Sequence, residues 1–186
     1  MPADAGTSGS VSVRRWTEAD AAALSSAVAE STEHLRPWME WASEPPLSLQ
    51  ARRRQIRQME VRWAAGGDCN YVIRVGDAVA GACGLHRRVG PDGLEIGYWL
   101  HPLFTGRGVA TTAAGLLTDA AFTMPEIEFV EIHHDQANLR SRAVPERLGF
   151  RLVASTPDEV SAPNELGISC EWRMTRDEWA ARRRAA

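Results

Sequence analysis

The chain has 186 residues, of which 44% are hydrophobic and 24% are charged, and its formal net charge is −3 at pH 7. These values are typical of one globular domain and exclude a strongly basic protein that binds nucleic acid through its overall charge. The cysteines Cys69, Cys83 and Cys170 fit neither a CxxC metal site nor a disulfide framework. No apolar run is long enough to cross a membrane, and the first residues lack the regions of a signal peptide, so we expect a cytoplasmic protein.

The first part of the chain predicts one strand followed by two helices. Residues 1–10 show no regular pattern, and we expect a disordered lead-in there. The alternating segment 11–16 predicts a strand, and 17–35 predicts a helix that begins with threonine as its N-cap. After a proline-rich loop, residues 48–67 predict a second helix, which ends at two glycines.

The remaining part predicts mainly strands. The predicted elements are strands at 69–75, 78–89, 94–101, 128–135, 150–156 and 167–174, helices at about 108–123 and 138–149, and a turn or helix at 175–184. The first three of these strands are separated by turn-like residues, which indicates an antiparallel meander. The order indicates a mixed α/β fold with one domain over 11–180 and a frayed tail at 181–186.

Two glycines, Gly106 and Gly108, flank Arg107 between a predicted strand and a predicted helix. Glycines let the backbone adopt positive φ and approach a ligand closely. The first amides of the following helix have no partner inside the helix, and the helix dipole makes that end positive, so the segment could bind a phosphate group. The same residues could also form an ordinary tight turn with a solvent-facing arginine, and their spacing does not separate the two.

Two common phosphate-binding motifs do not fit this turn. A P-loop requires a lysine after its second glycine, and the chain contains no lysine. The dinucleotide-binding motif requires a third glycine where this chain has Thr111, and the strands before the turn indicate a meander rather than βαβ units. The turn is therefore predicted to belong to a different fold.

The segments 95–122 and 130–153 resemble the GNAT acetyltransferase superfamily, and with 34–42 and 173–179 they most resemble its RimJ/RimL-like branch of ribosomal-protein N-terminal acetyltransferases. The resemblance covers roughly residues 11–180. It implies the GNAT fold, an α/β (α+β) fold with a mixed, mostly antiparallel sheet flanked by helices. In that fold two central strands splay apart and form the acetyl-CoA cleft.

The resemblance implies acetyl-CoA as the donor. The pyrophosphate loop of the family, R/Q-x-x-G-x-G/A, aligns with 105–110, so Thr105 stands where the family has a longer polar residue. The free edge of the strand that contains Trp99 is implied to pair with the pantetheine amides. The implied donor-binding residues are Trp99, Leu100, Thr105, Gly106, Arg107, Gly108, Val109, Ala110, Thr111, Asn138 and Ser141.

Acetyl transfer requires a neutral amine, a stabilised oxyanion and a proton for the thiolate. The resemblance makes Glu95 a candidate base, although it could simply hold a loop at the end of its strand. It makes Ser141 the candidate acid, although this could be an ordinary first-turn serine. It also implies a backbone amide near Leu100 as the oxyanion donor. Pro145 removes the helical hydrogen bond to the carbonyl of Ser141, and a kink is therefore possible in this helix.

The acceptor side is predicted from aromatic, acidic and histidine residues. Trp38 and Trp41 lie in the proline-bounded segment that covers the substrate cleft in the family, and Glu40 could attract a cationic amine or belong to a solvated acidic face. His86 and His134 are further candidates for the cleft, although a single strand histidine is more often structural. Because no carboxylate cluster has ligand spacing in the sequence, we predict no metal.

These observations predict an N-acetyltransferase that moves acetyl from acetyl-CoA to a primary amine by direct attack in a ternary complex. The acceptor could be a protein N-terminus or a small amine, including an amino-containing antibiotic, because the fold does not fix the acceptor. The alternative is a catalytically weak acyl-CoA-binding sensor or partner module. We expect no nucleic-acid or membrane partner, and a homodimer is possible.

Overall fold

The computed structural model describes Pro2 and residues 5–185, which contain one mixed sheet of eight strands and five α-helices. The strands are β1 (Gly6–Ser8), β2 (Val11–Arg15), β3 (Cys69–Val75), β4 (Ala78–His86), β5 (Gly93–Leu100), β6 (Phe129–Asp135), β7 (Arg151–Pro157) and β8 (Ile168–Thr175). The helices are α1 (Ala21–Leu35), α2 (Leu49–Ala64), α3 (Val109–Ala121), α4 (Leu139–Leu148) and α5 (Arg176–Ala185). The strand order across the sheet is β1-β2-β3-β4-β5-β6-β8-β7.

The centre of the sheet opens into a cleft. Strands β5 and β6 are parallel and pair only over Gly93–Glu95 and Phe129–Glu131, whereas the other neighbouring strands are antiparallel. Beyond Glu95, β5 continues to Leu100 and β6 continues to Asp135 without pairing to each other. The predicted mixed, mostly antiparallel sheet with splayed central strands is therefore confirmed.

Helices cover both faces of the sheet because neighbouring strand residues point to opposite sides. On one face, Val72 of β3 packs with Trp16 and with Ile56 of α2. On the other face, Ile73 belongs to a larger core that includes Leu117 of α3. Ile56 and Leu117 have no exposed surface, so each helix buries one apolar stripe against the sheet. None of the described helices combines the length and the apolar character that crossing a membrane would require.

The register of β4 and β5 decides which side chains share a face. His86 pairs with Glu95, and Gly84 pairs with Gly97, so these four residues point to the face that carries α1 and α2. Tyr98 points to the opposite face, where it packs against the larger core near α3 and α4. Polar groups from the centre of β5 are thus divided between two sides of the sheet.

The predicted lead-in at 1–10 is wrong for part of its length. Gly6–Ser8 forms β1, which pairs antiparallel with β2 through Gly6↔Val13. The open edge of β2 supplies hydrogen-bond partners for this segment, although its small polar residues carry no strand pattern. Three other residues of the predicted lead-in, Met1, Ala3 and Asp4, lie outside the described residues.

The predicted frayed tail at 181–186 also differs from the structure. Helix α5 continues to Ala185, and Ala186 lies outside the described residues. The helix is held to the core by Trp179, whose indole nitrogen donates a hydrogen bond to Asp119 at 2.8 Å. This anchor comes from α3, far away in sequence, so the arginine-rich composition of the tail does not reveal it.

Candidate active site

The divergence of β5 and β6 leaves a cavity of about 290 Å³, which we call the splay cleft. Side chains from both strands and from α4 line it, and they include Glu95, His133, Asn138 and Ser141. Trp38, which was predicted to form part of an acceptor wall, lines this cleft. The predicted catalytic pair, Glu95 and Ser141, therefore lies in one cleft.

The glycine turn before α3 has the geometry of an anion site. Gly106 and Gly108 have φ values of +71° and +76°, which a side chain would make strained. The first backbone bond of the helix runs from the Thr112 amide to the Gly108 carbonyl at 2.9 Å, so the amides of residues 109–111 precede it and have no partner within the helix. Arg107 is exposed and forms no ion pair with any described residue. This turn can accept the pyrophosphate of acetyl-CoA on backbone amides, with one added positive charge.

Thr105 is used within the turn itself. Its hydroxyl donates a hydrogen bond to the carbonyl of Pro102 at 2.9 Å and closes the 3-10 turn Pro102–Phe104. A longer polar residue at this position could reach beyond the turn, whereas this hydroxyl is already satisfied. The departure from the family motif at Thr105 is therefore accompanied by a hydrogen bond that closes the turn.

The edge of β5 that faces the cleft has no strand partner beyond Glu95. On its other edge β5 pairs with β4 as far as Ala82↔Trp99 and Gly81↔Leu100. Backbone amides and carbonyls on the free edge can therefore bind an extended chain of amides, which matches the pantetheine role predicted for Trp99 and Leu100. The indole of Trp99 points away from this edge and packs on the face of α1 and α2.

Asn138 and Ser141 organise the start of α4. The side-chain oxygen of Asn138 accepts a hydrogen bond from the Ser141 amide at 3.1 Å, so Asn138 is the N-cap of this helix. The hydroxyl of Ser141 lies 3.0 Å from the hydroxyl of Tyr98 on β5. The hydroxyl predicted to be the acid is therefore tied to the strand that borders the cleft.

Tyr98 also compensates for the proline inside α4. Pro145 has no amide hydrogen for the Ser141 carbonyl, and the Tyr98 hydroxyl donates to that carbonyl at 3.2 Å. The helix runs from Leu139 to Leu148 without interruption. Burial raises the pKa of Tyr98 to about 12, so its hydroxyl remains a neutral hydrogen-bond donor. The sequence did not indicate Tyr98, because its partner is the backbone carbonyl of Ser141. That carbonyl lacks a helical donor because Pro145 has no amide hydrogen.

We predict that Tyr98→Phe lowers the free energy of unfolding by about 1–3 kcal/mol, because it leaves the Ser141 carbonyl without a donor. In the background of Pro145→Ala, the new amide at position 145 can bond the same carbonyl. Tyr98→Phe should therefore lower the free energy of unfolding by less in that background. Urea unfolding of the wild type, both single variants and the double variant measures this difference. Equal losses in the two backgrounds would contradict the compensation.

Glu95 is held by an ion pair. Its two carboxylate oxygens each lie 2.6 Å from a guanidinium nitrogen of Arg88, and its side chain is 11% exposed. His133 Nδ1 lies 3.8 Å from the same carboxylate. Both carboxylate oxygens of Glu95 are thus occupied by charge-assisted hydrogen bonds. The structure thus places Glu95 in the cleft, but its contacts favour a positioning role.

A polar network extends from Glu95 across β6 and β8. Glu131 accepts hydrogen bonds from Arg173 at 2.7 Å and pairs with His133 at 2.7 Å. Burial lowers the pKa of His133, but the hydrogen bond to Glu131 and the nearby carboxylates outweigh it and raise that pKa. Glu131, His133 and Glu171 form a cluster at metal-ligand spacing, which the sequence did not indicate because strand pairing brings Glu171 beside His133.

His134 points to the face opposite to that of His133, and both its ring nitrogens form hydrogen bonds. Nδ1 bonds the carbonyl of Asp135 at 2.8 Å, and Nε2 accepts a hydrogen bond from Trp172 at 2.9 Å. Burial lowers the pKa of His134, so the neutral form is favoured. His134 lines the splay cleft, but hydrogen bonds already occupy both its ring nitrogens.

A second cavity, of about 350 Å³, lies on the face of α1 and α2, and we call it the helix-side cavity. Trp41, Trp99, Arg52 and His86 contribute to its walls. Met39, Gly97 and Tyr98 line both this cavity and the splay cleft. The two cavities therefore meet at the centre of β5.

His86 stands in the helix-side cavity with one ring nitrogen oriented by Asp68. Nδ1 lies 2.9 Å from the Asp68 carboxylate, which also accepts a hydrogen bond from the Arg87 amide. Burial opposes ionisation of Asp68, but these hydrogen bonds lower its pKa below the ordinary value. A carboxylate on Nδ1 keeps the proton on that nitrogen and leaves Nε2 as a proton acceptor.

Glycines make room for Nε2 of His86. A Cβ atom at Gly84 would lie 2.8 Å from Nε2, and one at Gly97 would lie 3.2 Å from it. Gly97 belongs to the point where the two cavities meet. Nε2 of His86 therefore lies close to the place where the two cavities meet.

The predicted acceptor residues are only partly brought together. Trp41 lines the helix-side cavity and packs against Trp99, with ring centroids 6.1 Å apart, whereas Trp38 lines the splay cleft. Glu40 is exposed and lines neither cavity. The sequence missed Asp68 because this residue follows two glycines at the end of a helix, and only the pairing of β3 with β4 places it beside His86.

Residues 11–151 match the family model described as the acetyltransferase (GNAT) domain. The chain belongs to the GNAT acetyltransferase family, whose members use acetyl-CoA. It is 29% identical over 142 residues to YdaF of Bacillus subtilis (strain 168), whose name gives ribosomal N-acetyltransferase as an assumed activity; the match covers 75% of this chain and 77% of that protein. Its similarity to the ribosomal N-acetyltransferases supports the RimJ/RimL-like branch.

Solved structures share the fold of this GNAT protein. RimL, a ribosomal L7/L12 α-N-protein acetyltransferase in complex with coenzyme A, superposes with a TM-score of 0.82 at 20% identity, over 92% of this chain and 97% of RimL. The microcin C7 self-immunity acetyltransferase MccE, in complex with acetyl-CoA and AMP, gives 0.83 at 17% identity, over 93% and 97%. These likenesses support the fold and not the acceptor.

Proposed function

We propose that this enzyme transfers acetyl from acetyl-CoA to the amino group of a protein N-terminus, by direct attack in a ternary complex. The observation that carries the proposal is the meeting of the splay cleft and the helix-side cavity at Gly97 and Tyr98. The names of YdaF and RimL support a ribosomal protein as the source of that N-terminus. A cytoplasmic location and a homodimer remain predictions.

The donor is expected in the splay cleft. The amides of residues 107–111 would hold the pyrophosphate, and the free edge of β5 would pair with the pantetheine. The thioester would then lie near Ser141, whose hydroxyl is already positioned by Tyr98. The acceptor would enter through the helix-side cavity, along the wall formed by Trp41 and Trp99.

The side chains divide the proton transfers between the two faces of the sheet. Nε2 of His86 removes a proton as the amine nitrogen bonds to the acetyl carbon. A backbone amide near Leu100 stabilises the oxyanion. The carbon–sulfur bond then breaks, and Ser141 donates its hydroxyl proton to the thiolate and takes a proton from water in its place. Glu95 stays an alternative base, and its ion pair with Arg88 is the reason that we favour His86.

We predict that Ser141→Ala lowers kcat by roughly 100-fold, because the leaving thiolate loses its acid. The KM for acetyl-CoA should change little, since the N-cap of α4 is the side chain of Asn138 and remains intact. Initial rates of free-thiol release, measured over a range of acetyl-CoA concentrations, check both values. A wild-type kcat would show that water protonates the thiolate instead.

The acceptor class is tested with a panel of amines and acetyl-CoA, followed by mass spectrometry of the products. We expect peptides with the N-terminal sequences of ribosomal proteins to gain one acetyl group at the α-amine. Acetylation of small amines alone would replace the proposed acceptor class. Tight CoA binding without any acetylated product would support the alternative of an acyl-CoA-binding sensor.

A further inference from the structure

Arg52 is a buried cation in the wall of the helix-side cavity. It is 8% exposed, and it lies in the first turns of α2, four residues after the N-cap Ser48. One terminal nitrogen of its guanidinium donates to the side-chain oxygen of Gln55 at 2.7 Å. Its Nε atom is buried and has no hydrogen-bond partner. This arginine is therefore only partly satisfied by the protein.

No carboxylate balances this charge. Among the described residues that line the helix-side cavity there is no aspartate or glutamate, and no described residue forms an ion pair or a cation–π contact with Arg52. Burial lowers the pKa of Arg52, but a guanidinium keeps its proton in proteins. The positive end of the α2 dipole is also close, which makes the site more favourable for an anion.

A buried charge without a partner is unfavourable, so buried charges in proteins are usually paired. An anionic ligand would supply that partner here. Other polar and aromatic groups surround the same space. Asn70 and Gln55 contribute amides to the cavity walls, and Trp41 with Trp99 contributes aromatic surface. The cavity thus has a cationic part at α2 and the open nitrogen of His86 at the sheet, with apolar surface in its walls.

We propose that Arg52 binds a carboxylate of the acyl acceptor, so that the preferred acceptor is an amine that also carries a carboxylate. The amine lies at His86 while the carboxylate pairs with Arg52. In a peptide this carboxylate belongs to an aspartate or glutamate near the N-terminus, and in a small acceptor it is the carboxylate of an amino acid. The inference rests on the proposed function, because it assumes that the acceptor occupies the helix-side cavity.

The test compares matched acceptors on the wild-type enzyme. One arm uses peptides that differ only by glutamate or glutamine at positions two to four, and the second uses small amino acids and their carboxamides. We expect the charged member of the preferred arm to have a kcat/KM roughly 10- to 100-fold higher, as for a charge-assisted hydrogen bond. The arm that shows the preference identifies the source of the carboxylate.

Variants of Arg52 connect the preference to this residue. Arg52→Gln should remove the preference for the charged acceptor, so that charged and neutral acceptors have similar kcat/KM values, and Arg52→Lys should retain part of the preference. Arg53→Gln is the matched control, because Arg53 is exposed on the same helix. Thermal melting verifies that each variant is folded.

The outcomes separate this inference from the proposed function. Equal use of charged and neutral acceptors by the wild type would overturn the role of Arg52, although acetyl transfer itself would stand. A preference that survives Arg52→Gln would also overturn it. Failure to acetylate any amine would instead reject the proposed function.

Discussion

Replacement of His86 by glutamine should lower kcat at neutral pH by about 100-fold or more, with little change in the KM for acetyl-CoA. The expectation follows from the contact between Nδ1 and Asp68, which leaves Nε2 to accept a proton from the amine. The donor is proposed to bind in the splay cleft, which His86 does not line, so its affinity should not depend on this side chain. Steady-state rates with a saturating peptide acceptor measure the effect.

Two further variants separate the role of His86 as the base from the role of Asp68, which orients it. Asp68→Asn should give a smaller loss than His86→Gln, because the imidazole remains but its proton is no longer directed by a carboxylate. In His86→Ala, added imidazole should restore part of the activity. If Glu95→Gln abolishes turnover while His86→Gln retains the wild-type rate, Glu95 is the base and our assignment of His86 is wrong.

Replacement of Gly108 by valine should weaken CoA binding by roughly 100-fold or more. A side chain at this position would enter open space, since no protein atom lies within 4 Å of the position that its Cβ would take, and this space is where the pyrophosphate would approach the loop. The φ of +76° adds backbone strain of about 1–3 kcal/mol. Calorimetric titration with CoA measures the affinity.

Gly66→Val is the matched control for this strain. Gly66 has a φ of +77°, its Cβ position is also open, and it follows α2, away from the glycine turn. We expect both variants to lose similar stability in thermal melting, whereas only Gly108→Val loses CoA affinity. An unchanged affinity in Gly108→Val would show that the pyrophosphate does not bind at this turn.

Features that depend on residues close together in the sequence could be predicted from it. The glycine turn was one of them, because Gly106 and Gly108 stand directly before a predicted helix and have the positive φ values that glycine allows. The cap of α4 is a local feature of the same kind, since Asn138 and Ser141 are three residues apart and meet within one helical turn. The meander of β3 to β5 followed from alternating segments with short turns between them.

Features that depend on strand register could not be predicted. The contact of His86 with Asp68 joins residues 18 positions apart, and the contact of Tyr98 with Ser141 joins residues 43 positions apart. A shift of one residue in a strand would send each side chain to the other face. Glu95 lines the splay cleft, but its ion pair with Arg88 depends on how the loop between β4 and β5 folds.

The cysteines bear on the route of acetyl transfer. Cys69, Cys83 and Cys170 are buried, and burial raises the pKa of Cys69 to about 11 and also raises the pKa of Cys83. A thiol with a raised pKa is a poor nucleophile at neutral pH. The burial of the three cysteines therefore favours direct transfer to the amine over an acetylated enzyme as intermediate.

The central claim is that donor and acceptor occupy the two cavities at the same time and react where these meet. Initial-rate kinetics with acetyl-CoA and the acceptor as varied substrates test it most directly, together with the intact mass of the enzyme after exposure to acetyl-CoA alone. We predict intersecting double-reciprocal lines and an unmodified enzyme. Parallel lines, with an acetyl group found on the enzyme, would contradict a ternary complex.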